Sequence, residues 1–478
     1  MQKRLLYSTA VLAALALGSC SNDEPLNGGL PETTGASQVI EISVANAGSG
    51  LTTRAGRPLL SSEAKQTIEN VKIIVCASDG TIKADTLITN WTTVSETYSD
   101  ASGHGRKVRF TLGKANALEQ GTTYTVYAFG YHGKDDATAY DSQYTVGNDN
   151  KALNEYLKTV GNGQKWEGNS VTQNSEESVT TFSENFTIKN TSDDNAEELF
   201  AGSAEITVNE KGNFNQGVTL HRQVAGMFTY AYNVPYFSGA KYLKVYASQE
   251  NQALVLGSFY SKVLGNNGTG NTLENVVNGT DTQDTETLLY QIDLTQWFEP
   301  IADVNNDGII DTYGYTNNGD SWTVNKTSVN WKKPSDFTSV TLVKGSVFGG
   351  EFLIPFKAKS GAQTLTLKLT DDGGTTLRIW TVKLPTDQVI SNGTLTSWDT
   401  SGSGSWSTAN SVTESQEAYS ILRNHLYGIG KKTAEGDGTD KEDPDPDGPD
   451  NPQDLNTKQE IQLQVNDNWE VIHQMVVD

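Results

Sequence analysis

Cys20 is the residue whose surroundings most clearly predict a chemical reaction. It ends the run Leu17-Gly18-Ser19-Cys20, which follows a short basic segment and an apolar stretch from Leu5 to Leu17. That stretch has the length of a signal-peptide core and is too short to span a bilayer. Small residues before a cysteine suit the cleft of a lipoprotein signal peptidase, and the thiol then carries diacylglycerol. The sequence therefore predicts a lipoprotein signal peptide over residues 1–20, with lipid (palmitate among its acyl chains) on Cys20. The alternative is an ordinary signal peptide in which this cysteine occurs by chance.

A second set of residues has the spacing of a metal site. Asp303, Asn305, Asp307 and Asp311 place side-chain oxygens at intervals along one loop, with Gly308 at its sixth position. Calcium favours oxygen ligands in such a pattern. The twelfth position is a glycine, so the bidentate glutamate of a standard calcium loop is missing. A calcium site and a solvated turn rich in Asp and Asn are the two interpretations of this loop.

Catalysis finds little support among the other residues. The five histidines are scattered without HExxH spacing, and the sequence has no Gly-x-Ser-x-Gly elbow and no phosphate-binding loop. We therefore expect a protein that is not an enzyme. Tryptophans in the second half could line a sugar site, although aromatic side chains of β-sandwiches mostly belong to the core. These tryptophans are Trp297, Trp322, Trp331, Trp398 and Trp406.

Charge and composition narrow the class of protein. With 58 acidic and 35 basic residues the formal net charge is −23, so the chain repels nucleic acid and anionic lipid. The only other cysteine, Cys76, lies in an apolar run that predicts a buried strand, so no disulfide framework is expected. Glycine is abundant at 45 residues and methionine is scarce at 3. This composition favours strands joined by turns and predicts an all-β fold.

Two segments near the ends of the chain alternate apolar and polar residues with the period of a β-strand. The first, which we call the plug strand, places Ile40, Ile42 and Val44 on one face. The second is the donor strand, and its apolar face consists of Ile461, Leu463, Val465, Trp469 and Val471. A strand with one apolar face must join a sheet, because alone it is an aggregation edge. Either both strands pair within their own chain, or cleavage near Arg54 releases the first and the second strand of a neighbouring molecule replaces it.

The rest of the chain divides by composition into successive regions. We expect a propeptide with the plug strand over 21–54, an N-terminal β domain over 55–215, a C-terminal β domain over 216–432, an acidic proline-rich linker over 433–455 and the donor strand over 456–478. Prolines and mutually repelling aspartates should keep the linker extended and solvated. Small helical insertions are expected over 151–160 and 413–427.

Several passages, taken in order, resemble the fimbrillins of Bacteroidales, which are the major and minor subunits of fimbriae. These passages are the lipobox ending at Cys20, Thr53-Arg54-Ala55, His221-Arg222-Gln223-Val224-Ala225, Ile421-Leu422-Arg423-Asn424-His425-Leu426-Tyr427 and Trp469-Glu470-Val471-Ile472. The resemblance implies two tandem transthyretin-like β-sandwich domains. It also implies export to the cell outer membrane as a lipidated precursor, and cleavage between Arg54 and Ala55 by a trypsin-like, Arg-specific protease. Donor-strand exchange with other fimbrial subunits, of the same or a related kind, would then build an extracellular fimbrium that supports adhesion.

The position of the subunit within a fimbrium follows from its two ends. In this family, anchor subunits keep their amino-terminal strand and tip subunits lack a donor tail. This chain has both a cleavable site and a donor-like strand, which favours a shaft subunit. The long linker over 433–455 departs from the family pattern. A tip or anchor subunit, and a monomeric surface lipoprotein that binds glycans, remain as alternatives.

Overall fold

The structure is a computed structural model of the chain, and its description covers a defined set of residues. These are residues 37–45, 68–100, 103–113, 116–132, 144–146, 150–166, 186–190, 196–256, 278–338, 340–356, 365–383, 396–398, 406–408, 421, 423–432, 439–444, 450–456 and 460–466.

Many strands in the first half of the chain are rich in β-branched and aromatic residues, which have high strand propensity. The strands are β1 Gln38–Ala45, β2 Asn70–Ala77, β3 Ile82–Ile88, β4 Glu96–Asp100, β5 Gly103–Thr111, β6 Thr123–Tyr131, β7 Tyr144–Val146, β8 Lys151–Ala152, β9 Phe186–Asn190, β10 Leu199–Thr207 and β11 Phe214–Arg222.

The second half continues in the same manner. Its strands are β12 Ala225–Tyr232, β13 Tyr242–Ala247, β14 Glu250–Leu256, β15 Gly279–Gln283, β16 Thr287–Asp293, β17 Tyr313–Asn317, β18 Trp322–Val329, β19 Val347–Leu353, β20 Leu365–Thr370, β21 Thr376–Lys383, β22 Thr396–Trp398, β23 Trp406–Thr408, β24 Leu426–Ile429, β25 Gln453–Asp454 and β26 Glu460–Asn466.

Helices are short and few among the described residues. They are α1 Trp91–Val94 and α2 Leu153–Thr159, with 3₁₀ turns at Leu294–Gln296 and Ser335–Phe337. The helix predicted over 151–160 is therefore present as α2. The helix predicted over 413–427 is wrong at its carboxyl end, because Leu426 and Tyr427 begin β24 and pair with β12. The spacing of apolar residues there fits a helical stripe, but a partner strand distant in sequence determines the conformation.

The first large sheet has the strand order β3-β2-β6-β10-β11-β1-β5-β4. One face of this sheet encloses an apolar core that includes Ile73, Val126, Phe200 and Leu220. The plug strand β1 lies inside the sheet rather than at its edge. The first sheet therefore depends on a strand from the beginning of the chain to complete its core.

The second large sheet has the order β16-β13-β20-β21-β26-β24-β12-β19, and β25 pairs with β12 beside it. The chain passes from the first sheet to the second at Gln223 and Val224, between β11 and β12. The predicted border between residues 215 and 216 falls inside β11, because the apolar run after it belongs to a strand that still pairs with β10 and β1. A smaller sheet, β15-β14-β9-β7-β8, joins strands from both halves. The all-β fold is confirmed.

The linker differs from the solvated segment expected over 433–455, at the residues that the structure describes. Lys432 and Asp450 form an ion pair of 2.9 Å between side chains that are 1% and 3% exposed. The backbone of Lys441 bonds to that of Leu342 and Lys344. Two further acidic residues of the described linker, Asp440 and Glu442, pair with Lys333 and Lys344. These described parts of the linker therefore pack against the C-terminal domain.

The described residues contain no helix that is long and apolar enough to cross a membrane.

Glu351 gives the C-terminal domain a pH dependence that can be measured. This β19 residue is 9% exposed, its Oε2 has no hydrogen-bond partner among the described residues, and burial raises its pKa to about 8. A carboxyl with a raised pKa binds a proton on folding. Its contribution is therefore fully present below the unfolded pKa of about 4.3 and is lost as the pH rises through about 8.

We predict that Glu351→Gln weakens this pH dependence. Between pH 5 and pH 8 the free energy of unfolding of the wild type should fall, relative to that of the variant, by on the order of 3 kcal/mol. Denaturant titrations at the two pH values measure the difference. Glu155→Gln, at a partly exposed position of α2, is the control and should follow the wild type. Equal pH dependence in wild type and Glu351→Gln would contradict the assignment.

Candidate functional site

The groove between β5 and β11, which β1 fills, is the candidate site. We call it the β1 groove. The strand pairs in parallel with β11, from Gln38 opposite Phe214 to Val44 opposite Leu220. It pairs in antiparallel orientation with β5, from Val39 opposite Thr111 to Ala45 opposite Gly105. Backbone ladders therefore run along both edges of β1 for nearly its whole length.

The inner face of β1 belongs to the core of the first sheet. Ile40, Ile42 and Val44 are all 0% exposed and join its apolar cluster. On the opposite face, Glu41 pairs with Arg109 at 2.9 Å and the Ser43 hydroxyl lies 3.3 Å from that of Thr219. The predicted plug face is thus the face that is buried. Burying three such side chains stabilises the domain by roughly 5–9 kcal/mol in all.

Gln38 is a functional residue of the groove that the sequence analysis did not identify. Its side chain is 3% exposed. The Nε2 atom donates to the carbonyls of Leu118 and Gly212 at 2.9 and 3.0 Å, and Oε1 accepts from the Leu118 N–H at 2.8 Å. The sequence offers one indication of this role: Gln38 lies two residues before Ile40, on the same face of the strand. This side chain closes the end of the core and fixes where the strand starts.

The connection from β1 to the rest of its domain passes through residues 46–69, and Arg54 lies in this stretch. A cut after Arg54 would therefore separate the plug strand covalently while leaving its two ladders intact. Cys20, Arg54 and Ala55 themselves lie outside the described residues, so lipidation and cleavage remain predictions.

The donor strand β26 is paired within its own chain. It runs parallel to β21 over Glu460–Gln462 and antiparallel to β24 over Leu463–Asn466. Ile461 and Leu463 are both 1% exposed, in the core of the second sheet. Of the other predicted donor residues, Val465 lies in the strand with an undescribed side chain. Trp469 and Val471 lie outside the described residues.

A buried polar junction lies between the end of β11 and the start of β12. It joins residues from the passage 221–225 to residues from the passage 421–427. The Arg222 Nε donates to Glu198 Oε1 at 2.7 Å, with both side chains 1% exposed. From the other passage, Arg423 Nη1 donates to the Gln223 Oε1 at 3.2 Å, and the Asn424 N–H donates to the Val224 carbonyl. These contacts tie the passage before β24 to the crossing between the two large sheets.

The candidate calcium loop folds as a hydrogen-bonded turn. Asp303 accepts from the N–H groups of Asp307 and Gly308 at 3.0 and 2.9 Å, and Asp311 accepts from the Val304 N–H at 2.7 Å. Asn305 Nδ2 donates to Asp307 Oδ2 at 2.8 Å. Burial, followed by the charges of Asp303 and Asp307, raises the pKa of Asp311. Among the described residues, no group of three or more His, Cys, Asp or Glu side chains has an arrangement that could hold a metal ion.

The tryptophans considered for a sugar site differ in their exposure to solvent. Trp297 and Trp331 are 2% and 7% exposed and belong to the core, whereas Trp322 is 41% exposed on β18. Trp398 and Trp406 pair across the β22–β23 hairpin, and their side chains are not described. The structure therefore removes Trp297 and Trp331 from a surface sugar platform.

Comparisons with known proteins found matches only among solved structures, since no protein-family model and no curated protein sequence matches the chain. A candidate adhesin from Bacteroides ovatus covers 88% of this chain and 94% of its own, at 10% identity and a TM-score of 0.35. The fimbrial anchor protein Mfa2 from Porphyromonas gingivalis covers 72% and 82%, at 10% identity and a TM-score of 0.29. A fimbrial assembly protein from Parabacteroides distasonis covers 71% and 98%, at 10% identity and a TM-score of 0.25.

We predict that the loop over Asp303–Asp311 keeps its conformation without calcium, because backbone N–H groups already occupy its carboxylate oxygens. Addition of a chelator should leave the thermal unfolding midpoint unchanged, and millimolar calcium should not raise it. A midpoint that rises with calcium in the wild type, but not in Asp303→Asn, would contradict this and establish the calcium site.

Proposed function

We propose that this protein is a structural subunit of cell-surface fimbriae, in the position of a shaft subunit, and that it supports adhesion without enzymatic activity. The observation that carries the proposal is the place of β1. It fills the interior of a sheet and its core, yet it is joined to that sheet through the segment that contains Arg54. A strand so placed can be cut free without any other strand being broken.

Export comes first in the proposed sequence of events. Lipid on Cys20 carries the precursor to the cell outer membrane, with β1 filling its groove. An Arg-specific, trypsin-like protease then cuts between Arg54 and Ala55. Arg57 is followed by Pro58, a bond that such proteases cleave poorly. The lipid, the tether and the plug strand then belong to one fragment, and the mature subunit is free to enter an extracellular fimbrium.

Loss of β1 leaves a groove that must be filled. It would expose the apolar core beneath Ile40, Ile42 and Val44, together with the unpaired edges of β5 and β11. Exposed apolar surface beside open strand edges is a template for another strand. The donor strand in residues 456–478 of a neighbouring subunit, of the same or a related kind, fills it by β-augmentation.

The same contact, repeated, gives a fibre. Donor and acceptor are different surfaces of the subunit, so the interface is heterologous and generates an open filament rather than a closed dimer. A subunit with both a releasable plug and a donor strand has a neighbour on each side. That combination supports a shaft position over a tip or an anchor.

We predict that limited trypsin treatment converts the chain from residue 21 onward into polymers. The product should appear as a ladder of bands on a denaturing gel run without heating. Arg54→Ala combined with Lys65→Ala should prevent the ladder, because the connection between β1 and β2 then has no readily cleaved trypsin site and the plug strand stays attached. Deletion of residues 456–478 should also prevent it, because the groove then has no occupant.

The two variants test separately the release of the plug strand by cleavage and the donation of residues 456–478 to a neighbouring subunit. Mass spectrometry of the trypsin product checks that the cut falls between Arg54 and Ala55. Monomer alone from the correctly cut wild type would contradict the proposal and favour the monomeric glycan-binding lipoprotein. Polymers that persist after the deletion would exclude residues 456–478 as the donor.

A further inference from the structure

We propose that residues 459–465 of one copy of this chain replace residues 38–44 of another, with Gln459 taking the place of Gln38. This inference rests on the proposed function and goes further by naming the donor segment and its register. The acceptor is the β1 groove, including the backbone groups of Leu118 and Gly212 that hold Gln38. Gln459 lies outside the described residues, and its place follows from aligning the two segments.

The apolar faces of the two segments match in volume at each position. Ile40 corresponds to Ile461, Ile42 to Leu463 and Val44 to Val465. Two of these pairs are identical, and the third exchanges isomers. Volume-conserving exchanges of this kind are those that cores tolerate best. The β1 groove can therefore take the donor face with little rearrangement of the surrounding core.

The backbone directions of the two strands also match. Each strand lies between one parallel and one antiparallel neighbour: β11 and β5 for β1, and β21 and β24 for β26. In the second sheet β26 therefore already pairs with one parallel and one antiparallel strand, as an occupant of the β1 groove must.

Gln459 fixes the register through the buried end of the groove. The side-chain amide of Gln38 donates to the carbonyls of Leu118 and Gly212 and accepts from the Leu118 N–H. Glutamine is again the residue two positions before the first apolar residue of the donor face, Ile461. Without such an amide, these buried backbone groups would lose their partners, at a cost in affinity.

Other registers leave mismatched residues in the core. A shift of the donor by two residues in one direction puts Gln459 at the Ile40 position. The opposite shift puts Asp467 at the Val44 position and Ile461 against the polar backbone groups at Leu118. Burying an unpaired amide or carboxylate is costly. A shift by one residue turns the apolar face outward.

The later part of the donor tail fits the groove less well. In the alignment that starts at Asp467, Trp469 meets the Ile40 position and His473 meets the Val44 position. An indole in a site that holds isoleucine overfills the core. The segment Gln459–Val465 is therefore the better occupant.

Among the described residues, β26 pairs with β21 over Glu460–Gln462 and with β24 over Leu463–Asn466. In the β1 groove the two ladders overlap along nearly the whole strand. The β1 groove therefore offers a donor of this length backbone partners along both of its edges.

Disulfide trapping tests the register directly. Ser43 lies opposite Thr219 with its hydroxyl 3.3 Å from the threonine hydroxyl, and Gln464 aligns with Ser43. The chain carrying Thr219→Cys and Gln464→Cys should form a disulfide between copies in trypsin-grown polymers. The matched control carries Thr219→Cys and Gln462→Cys, the pair that a two-residue shift would bring together. Cys76 should not compete, because burial raises the pKa of its thiol to about 12.

The expected result is at least a tenfold excess of cross-linked dimer for the Gln464 pair over the Gln462 pair on non-reducing gels. If the polymers form but the Gln462 pair cross-links instead, or neither pair does, the register is overturned while the proposed function stands. If neither variant nor the wild type polymerises, the proposed function fails and this inference fails with it.

A competing peptide tests the role of Gln459. A synthetic peptide of residues 457–467, added during trypsin treatment, should block polymer growth. With Gln459→Ala, inhibition should require about 10-fold to 100-fold more peptide, because the buried groups at Leu118 and Gly212 are left unpaired. The Gln462→Ala peptide is the control, since Gln462 aligns with the outward Glu41. Equal inhibition by the two altered peptides would overturn the assignment of Gln459.

Discussion

The fold depends on the pairing of β1 along both of its edges. Its backbone ladders with β5 and β11 hold the first large sheet together, and Ile40, Ile42 and Val44 complete the core beneath it. An interior strand is normally secured by the chain on either side. Here the connection to the rest of the domain passes through the stretch that contains Arg54, so non-covalent contacts alone would hold the strand after a cut.

The proposed cleavage would leave the β1 groove open, with apolar surface beside two unpaired strand edges. Such a groove favours the binding of another strand. The donor strand β26 has a matching apolar face and the same mixed pairing in its own sheet. The junction of Arg222, Gln223 and Arg423 meanwhile joins the crossing between the two sheets to the passage before β24. The proposed acceptor groove and the proposed donor strand are therefore carried by elements that are linked within one subunit.

Local alternation was enough to predict β1 and β26 but not their partner strands. The faces of β1 and β26 followed from the period of two, because each has one side in a core. The role of Gln38 was not predicted, because polar residues are common at the start of a strand. Its hydrogen bonds to the backbone carbonyls of Leu118 and Gly212, which are distant in sequence, define that role. The buried Asp450 was missed for a similar reason, since its acidic, proline-rich surroundings predict solvation and its partner Lys432 lies in another segment. Contacts between residues far apart in sequence decided each of these cases.

The exchange of one strand for another is tested most directly by a cryo-electron microscopy structure of the polymer grown after cleavage at Arg54. We predict that the strand between β5 and β11 of each subunit belongs to its neighbour, with Gln459 beside Leu118 and no density for residues 38–45. A polymer in which residues 38–45 still occupy that place, with subunits joined elsewhere, would contradict it.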